Sequence, residues 1–196
     1  MIVKICGITN RDDARAAAES GATALGFNFF AKSPRYIDPS LVPEILEVVP
    51  VSIWKIGVFV HETTPNALAI AARAGLDILQ VIGEDDQFPP GTRVWKTVRV
   101  EAGFEAEKLD ARGAEAFLLD APSATLCGGT GHSFDWKLAR GVLGKVVLAG
   151  GLDETNVRRA IEEARPWGVD ACSRLESAPG RKDHRKMALF LKAALS

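Results

Sequence analysis

Short runs rich in valine, isoleucine and leucine alternate with Ala-, Glu- and Arg-rich stretches from one end of the chain to the other, and this alternation limits the fold more than any other feature. The apolar runs are Ile2–Cys6, Ala24–Asn28, Ile53–Val60, Ile78–Ile82, Arg93–Val98, Ala116–Asp120, Lys145–Ala149 and Val169–Ser173, and each reads as a β-strand. Helical spacing predicts helices over Arg11–Ser20, Ser40–Val49, Pro65–Ala74, Phe104–Arg112, Asp135–Val142, Glu154–Ala164 and Asp183–Ala194. Gly21, Gly75, Gly113, Gly168 and Pro50 supply stops near the helix ends. After the fourth strand, Glu84–Pro90 has room for a turn at most. Eight strands in 196 residues give about 25 residues per unit, which suits one compact α/β domain over residues 1–196, a (β/α)8 TIM barrel with a shortened fourth helix. A doubly wound open sheet is the competitor. It would want a Gly-x-Gly-x-x-Gly turn after the first strand, and that turn reads Cys6-Gly7-Ile8-Thr9-Asn10.

Barrels of this kind build their sites at the carboxyl ends of the strands. The first strand ends in Cys6 and the sixth in Asp120, a candidate base and a candidate acid that can meet over one mouth. Side chains in a strand alternate between faces, so an inward Cys6 brings Lys4 inward with it, and Cys172 shares a face with Asp170. Lys55 and Lys96 also lie mid-strand. A buried ammonium is costly unless paired, so inward lysines predict a polar network in the mouth with Asp120 or Asp170 among its acids. Outward lysines would instead snorkel between helices. Both readings stand at this level.

Bulk properties exclude several classes. Net charge is −1, which leaves no electrostatic case for nucleic acid or an anionic membrane as the main partner. No apolar run is long enough to span a bilayer, and Met1 leads straight into a strand with no signal peptide ahead of it, so a soluble cytoplasmic protein is expected. Cys6, Cys127 and Cys172 are odd in number and widely spaced, against a disulfide framework or a zinc knuckle.

Several segments, in order and at these spacings, resemble the phosphoribosylanthranilate isomerase family of tryptophan biosynthesis. They include Lys4-Ile5-Cys6-Gly7-Ile8-Thr9-Asn10, Lys32-Ser33-Pro34-Arg35-Tyr36-Ile37, Gly57-Val58-Phe59-Val60, Leu118-Leu119-Asp120, Gly128-Gly129-Thr130-Gly131, Ala149-Gly150-Gly151-Leu152 and Pro179-Gly180-Arg181-Lys182-Asp183-His184. The resemblance implies an Amadori rearrangement of N-(5-phosphoribosyl)anthranilate with no metal or organic cofactor. It implies Cys6 as general base and Asp120 as general acid. It gives Arg35 the substrate's anthranilate carboxylate, a task suited to a planar guanidinium fork. Gln80 and Asp170 match substrate-binding positions, Asp170 near the ribose. Gly150, Gly151 and Ser173 follow the seventh and eighth strands, where barrels often bind phosphate. The Gly128–Gly131 stretch reads as a flap over the site or a merely flexible loop, and Cys127 and Cys172 read as packing residues. The family includes monomers and dimers, and both states are open here.

Two departures stand out. The family's Gln-Leu-His-Gly reads Gln80-Val81-Ile82-Gly83, so its histidine is missing. Its Ser-Ser-Gly-Val-Glu reads Cys172-Ser173-Arg174-Leu175-Glu176. Arg174 is expected either to meet the substrate phosphate at the site's edge or to pair with Glu176 in solvent. The other functions to weigh are a related phosphosugar isomerase of shifted substrate and a barrel that binds a phosphorylated ligand without turnover.

Overall fold

The computed structural model describes residues 1–83, 87–109, 111–121 and 135–196. Eight parallel strands, β1 (Ile2–Cys6), β2 (Ala24–Asn28), β3 (Trp54–Val60), β4 (Ile78–Ile82), β5 (Val94–Arg99), β6 (Ala116–Asp120), β7 (Val146–Leu148) and β8 (Gly168–Ala171), close into a barrel in sequence order. Closure runs through β1 and β8, with Lys4 paired to Asp170 and Ile5 to Ala171. All eight predicted strands are present, each within a few residues of its expected limits.

Strand parity divides each strand between two cores. Val3, Ile5, Leu25, Phe27, Phe59, Leu79, Phe117, Leu119 and Leu148 face outward and pack under the helices against Ala14, Ala17, Val42, Ala67, Val157 and Phe190. Each large side chain buried this way contributes roughly 1.5–3 kcal/mol. The alternate set, Ala24, Ile56, Ile78, Trp95, Ala116, Leu118, Val147 and Ala149, fills the barrel's interior. The end away from the strand carboxyl termini is plugged by Trp54, Trp95 and Trp167, with ring centroids 5.7–6.4 Å apart.

The helical layer is thinner than the sequence suggests. Helices α1 (Arg11–Glu19), α3 (Thr64–Ala74), α4 (Val157–Ala164) and α5 (His184–Leu195) match expectation closely, and α2 is cut to Val42–Leu46 behind a 3₁₀ turn at Pro39–Leu41. The helices expected at Phe104–Arg112 and Asp135–Val142 are replaced by 3₁₀ segments at Ala106–Lys108 and Trp136–Gly141. In the second case the buried residues explain the change. Trp136, Ala139 and Val142 lie three apart, so a three-residue period puts them on one face. In the first, Ala106 alone is buried within the turn, and a single turn suffices to cover it. Of the short link after β4, residues 87–90 form no helix, in keeping with the shortened fourth unit.

The chain leaves β8 through a 3₁₀ turn at Ser173–Leu175 into a hairpin, β9 (Glu176–Ala178) and β10 (Arg181–Lys182). The hairpin is strapped to the β1–α1 turn. Thr9 Oγ1 donates to Gly180 O at 2.5 Å, and Lys182 N donates to Asp13 Oδ2 at 2.9 Å. Asp13 also accepts from Asn10 and holds His184 Nε2 at 2.8 Å, while the Asn10 carbonyl oxygen of the side chain caps α1 through Asp13 N. No helix among the described residues is long and apolar enough to cross a membrane.

Candidate active site

One pocket opens at the carboxyl ends of the strands. It is lined by every residue singled out as a site residue: Cys6 from β1, Arg35 after β2, Gln80 from β4, Asp120 from β6, Gly150 and Gly151 after β7, Asp170 from β8, and Ser173 and Arg174 beyond it. For Lys4 the inward of the two readings is the one that holds. Its ammonium is fully buried and donates to Asp170 Oδ1 at 3.0 Å. The other two lysines take the opposite course. Lys55 pairs with Asp77 at 3.0 Å and Lys96 donates to Arg112 O at 2.9 Å, both outside the barrel, where Trp54, Ile56 and Trp95 hold the inward positions.

Lys4 therefore serves two acids. Burial opposes its charge, but Asp170 and Cys6 outweigh burial and raise its pKa. Cys6 moves the other way: a hydrogen bond from Cys172 and the nearby Lys4 ammonium hold its thiol well below the ordinary range, against burial. Gly26 makes room for this sulfur, because a Cβ there would lie 2.8 Å from Cys6 Sγ and 3.0 Å from Lys4 Cε. Burial pushes Asp120 up to about 6, partly countered by the Ala121 backbone N–H and reinforced by charge on Cys6. Burial likewise pushes Asp170 up to about 7 despite Lys4. The mouth thus sets a sulfur that ionises easily against an Asp120 carboxyl that keeps its proton to higher pH than an ordinary aspartate, while Asp170 stays tied to Lys4.

Gly150 has a structural reason to be glycine. Its φ is +83°, and a Cβ would lie 2.5 Å from Ala121 Cβ and 3.0 Å from Asp120 Oδ1. Its backbone closes against the turn that carries Asp120. Gln80 is almost fully buried. Its Nε2 donates to Thr97 Oγ1 at 3.2 Å, while its Oε1 has no partner among the described residues, leaving one amide atom unsatisfied by them at the pocket wall.

Arg35 is held rather than loose. Its Nε and Nη2 donate to the two Glu176 oxygens at 2.9 and 2.8 Å. Glu176 also accepts from the buried Lys182 Nζ at 3.1 Å. Burial alone would raise the Glu176 pKa, but Arg35 and Lys182 hold it below the usual carboxylate range. Of the two readings of Arg174, the pair with Glu176 is therefore absent. Arg174 Nη1 instead meets Asp153 Oδ2 at 2.6 Å, because Glu176 turns inward to the buried cations. Arg174 stays on the pocket's rim, half-exposed.

The expectation that Cys172 only packs is also corrected. It lies on the mouth, half-buried, donating to Glu176 Oε1 at 3.9 Å and 3.8 Å from Lys182 Nζ. Lys4 fixes the reason: parity carries Asp170 and Cys172 to the same inner face. Arg99, at the inner end of β5, was not singled out from the sequence although the Trp95–Thr97–Arg99 alternation aims it at the mouth. Lys182 and Glu176 were missed as supports. Their signal was their place within the matching segments after β8. Cys127 and the Gly128–Gly131 stretch lie outside the described residues. Among the described residues, no cluster of three or more His, Cys, Asp or Glu is placed to hold a metal ion.

A model of the N-(5'-phosphoribosyl)anthranilate isomerase family matches residues 3–193. An N-(5'-phosphoribosyl)anthranilate isomerase of Solibacter usitatus is 48% identical over 196 residues, covering 99% of this chain and 97% of its own. The crystal structure of the Thermotoga maritima phosphoribosylanthranilate isomerase superposes with a TM-score of 0.89 at 38% identity, covering 100% of this chain and 99% of its own. A further structure of such an isomerase, in complex with reduced 1-(o-carboxyphenylamino)-1-deoxyribulose 5-phosphate, superposes with a TM-score of 0.86 at 38% identity over 100% of this chain and 99% of its own. Matched over nearly its whole length in sequence and in fold, the chain belongs to the phosphoribosylanthranilate isomerase family.

Proposed function

We propose that the chain isomerises N-(5-phosphoribosyl)anthranilate to 1-(2-carboxyphenylamino)-1-deoxyribulose 5-phosphate, with Cys6 as general base and Asp120 as general acid. The observation that carries this reading is the opposed ionisation of two groups over one mouth, a depressed thiol and a carboxyl raised to about 6. Pairs of titratable groups pushed apart by their surroundings are the mark of an acid–base division of labour.

Asp120 gives its proton to the furanose ring oxygen, the C1–O bond breaks, and a Schiff base forms between C1 and the anthranilate nitrogen. The Cys6 thiolate takes the proton on C2, and the electrons move into a C1–C2 double bond while the nitrogen becomes neutral. The resulting enolamine tautomerises to the ketone, so the product is an isomer and no electrons are gained or lost overall. Lys4 keeps its charge throughout and steadies both Cys6 and Asp170, leaving Asp170 beside the ribose hydroxyls. The unpaired amide atom of Gln80 offers another polar contact at the wall.

The substrate's two anionic ends call for separate groups at the mouth. Arg35 faces the anthranilate carboxylate, and the Glu176 grip on Nε and Nη2 orients the guanidinium so that Nη1 is left for the ligand. Gly150, Gly151 and Ser173 take the phosphate on backbone N–H groups. Arg174 leaves Asp153 for that phosphate, replacing the close backbone approach that a glycine at this position allows. The substrate is a small molecule, and the protein works as a monomer or homodimer in the cytoplasm without a cofactor.

Steady-state turnover of substrate generated in situ, followed by loss of its fluorescence, tests the assignment. Cys6→Ser and Asp120→Asn are each expected to lower kcat by about 10²–10⁴-fold, the usual weight of a positioned acid or base. Full activity in either variant removes that residue from the mechanism.

A further inference from the structure

The register that closes the barrel does more than align Lys4 with Asp170. β1 and β8 run parallel with Ile5 opposite Ala171, so the next residues along, Cys6 and Cys172, follow side by side. Neighbouring strands lie about 4.8 Å apart, inside the roughly 4.4–6.8 Å range of Cα separations that a disulfide spans. Parity turns both side chains to the same inner face. Both sulfurs line the open mouth, half-buried rather than sealed. A Cβ on Gly7 would lie 3.0 Å from Cys172 Sγ, which shows how far this sulfur leans toward the end of β1.

We propose that Cys6 and Cys172 are the two halves of a reversible disulfide, closed by a peroxide and reopened by a thiol reductant. Because Cys6 is the base in the reading above, closure also switches the isomerase off, and this consequence rests on that reading.

The roles within the pair differ. Cys6 is the more readily ionised sulfur and attacks first, whereas burial and a hydrogen bond to Glu176 Oε1 at 3.9 Å keep Cys172 a thiol. The Cys6 thiolate attacks one peroxide oxygen, the O–O bond breaks, and hydroxide leaves to be protonated to water. The sulfenic acid so formed is met by Cys172, whose sulfur loses its proton as it attacks. The S–S bond forms, the S–O bond breaks, and a second water leaves. Two thiols together lose two electrons, and one peroxide is reduced to two waters. Lys182, 3.8 Å from Cys172 Sγ, stabilises the negative charge that grows there. Without a resolving thiol, a sulfenic acid exposed to further peroxide goes on to sulfinic acid, which thiol reductants do not reverse.

The experiment uses the full chain, treated with hydrogen peroxide, trapped with an alkylating agent and digested without reduction. The expected product is a Cys6–Cys172 linked peptide lighter by two hydrogens, with activity lost in step and most of it restored by dithiothreitol. In Cys172→Ser, measured against its own untreated activity, the same peroxide should leave Cys6 as sulfinic acid and the loss should persist after dithiothreitol. Wild-type Cys6 recovered as sulfinic acid or as free thiol, or linked to Cys127, overturns the proposal without reference to any variant. A Cys6–Cys172 link with activity unchanged keeps the disulfide and overturns instead the assignment of Cys6 as the base.

Discussion

The two ends of the barrel are built from opposite chemistry. At the closed end Trp54, Trp95 and Trp167 fill the interior, and the charges stay outside them: Arg93 stacks 4.3 Å over Trp54 and Lys145 4.7 Å over Trp167, with Glu115 bound to both cations. At the open end the charges are inside. Lys4, Asp170, Lys182 and Glu176 are all nearly or wholly buried, and each has an oppositely charged partner. Burying an ion pair seldom improves stability over apolar residues of the same volume. The closed end therefore holds the barrel together, and the open end spends part of that stability on ionisation states that suit proton transfer.

The largest effect expected from breaking this contrast is at the closed end. Trp95→Ala should cost about 3–5 kcal/mol of unfolding free energy, the usual range for emptying a buried aromatic site. Because Trp95 lies away from the reacting groups, its KM and kcat at a permissive temperature should stay within about twofold. Chemical denaturation with parallel kinetics checks both halves. A catalytic defect as deep as that of Asp120→Asn would erase the division between the ends.

A middle-sized effect comes from pH. The Asp120 carboxyl titrates near 4 unfolded and at about 6 folded, so over this interval the native state binds more protons than the unfolded chain. Its contribution to stability is complete below about pH 4 and is lost as pH rises through about 6. Asp120→Asn has no such group. Its stability relative to the wild type should therefore rise between pH 4 and pH 7, by on the order of 1–3 kcal/mol. Trp95→Ala should show no comparable trend. Urea titrations at a series of pH values measure the difference, and parallel curves for Asp120→Asn and wild type would remove the burial argument for this acid.

The smallest effect belongs to the rim. Arg174 is half-exposed and already held by Asp153, so solvent screening limits what it adds to phosphate binding. Arg174→Ala should raise KM by a few-fold to about tenfold, at most about 1.4 kcal/mol, with kcat little changed. An unchanged KM would leave Arg174 with no part in phosphate binding.

Much of this was legible in the chain because it is local. Strand existence follows from runs of apolar residues, and the inward face of β1 from parity once Cys6 is taken as its end. The two helices replaced by 3₁₀ turns were harder to see. Their sequences favour helix, but the spacing of the few residues that reach the core, such as Trp136, Ala139 and Val142, decides the winding. The partners of Arg35 and Arg174 were out of reach for a related reason. Charged groups on separate loops choose among several opposite charges by distance and burial, and Glu176 took the buried cations rather than the nearer arginine in sequence.

By itself the sequence determined the order of eight strands, the carboxyl-end placement of Cys6 and Asp120, and through its ordered segments the family. Only the tertiary structure decided that the closing register of β1 and β8 sets Lys4 against Asp170 and Cys6 beside Cys172. The physical reason is separation along the chain. Lys4 and Asp170 stand 166 residues apart, and no local propensity reports which strand will close a barrel or how its register will fall until the strands have packed.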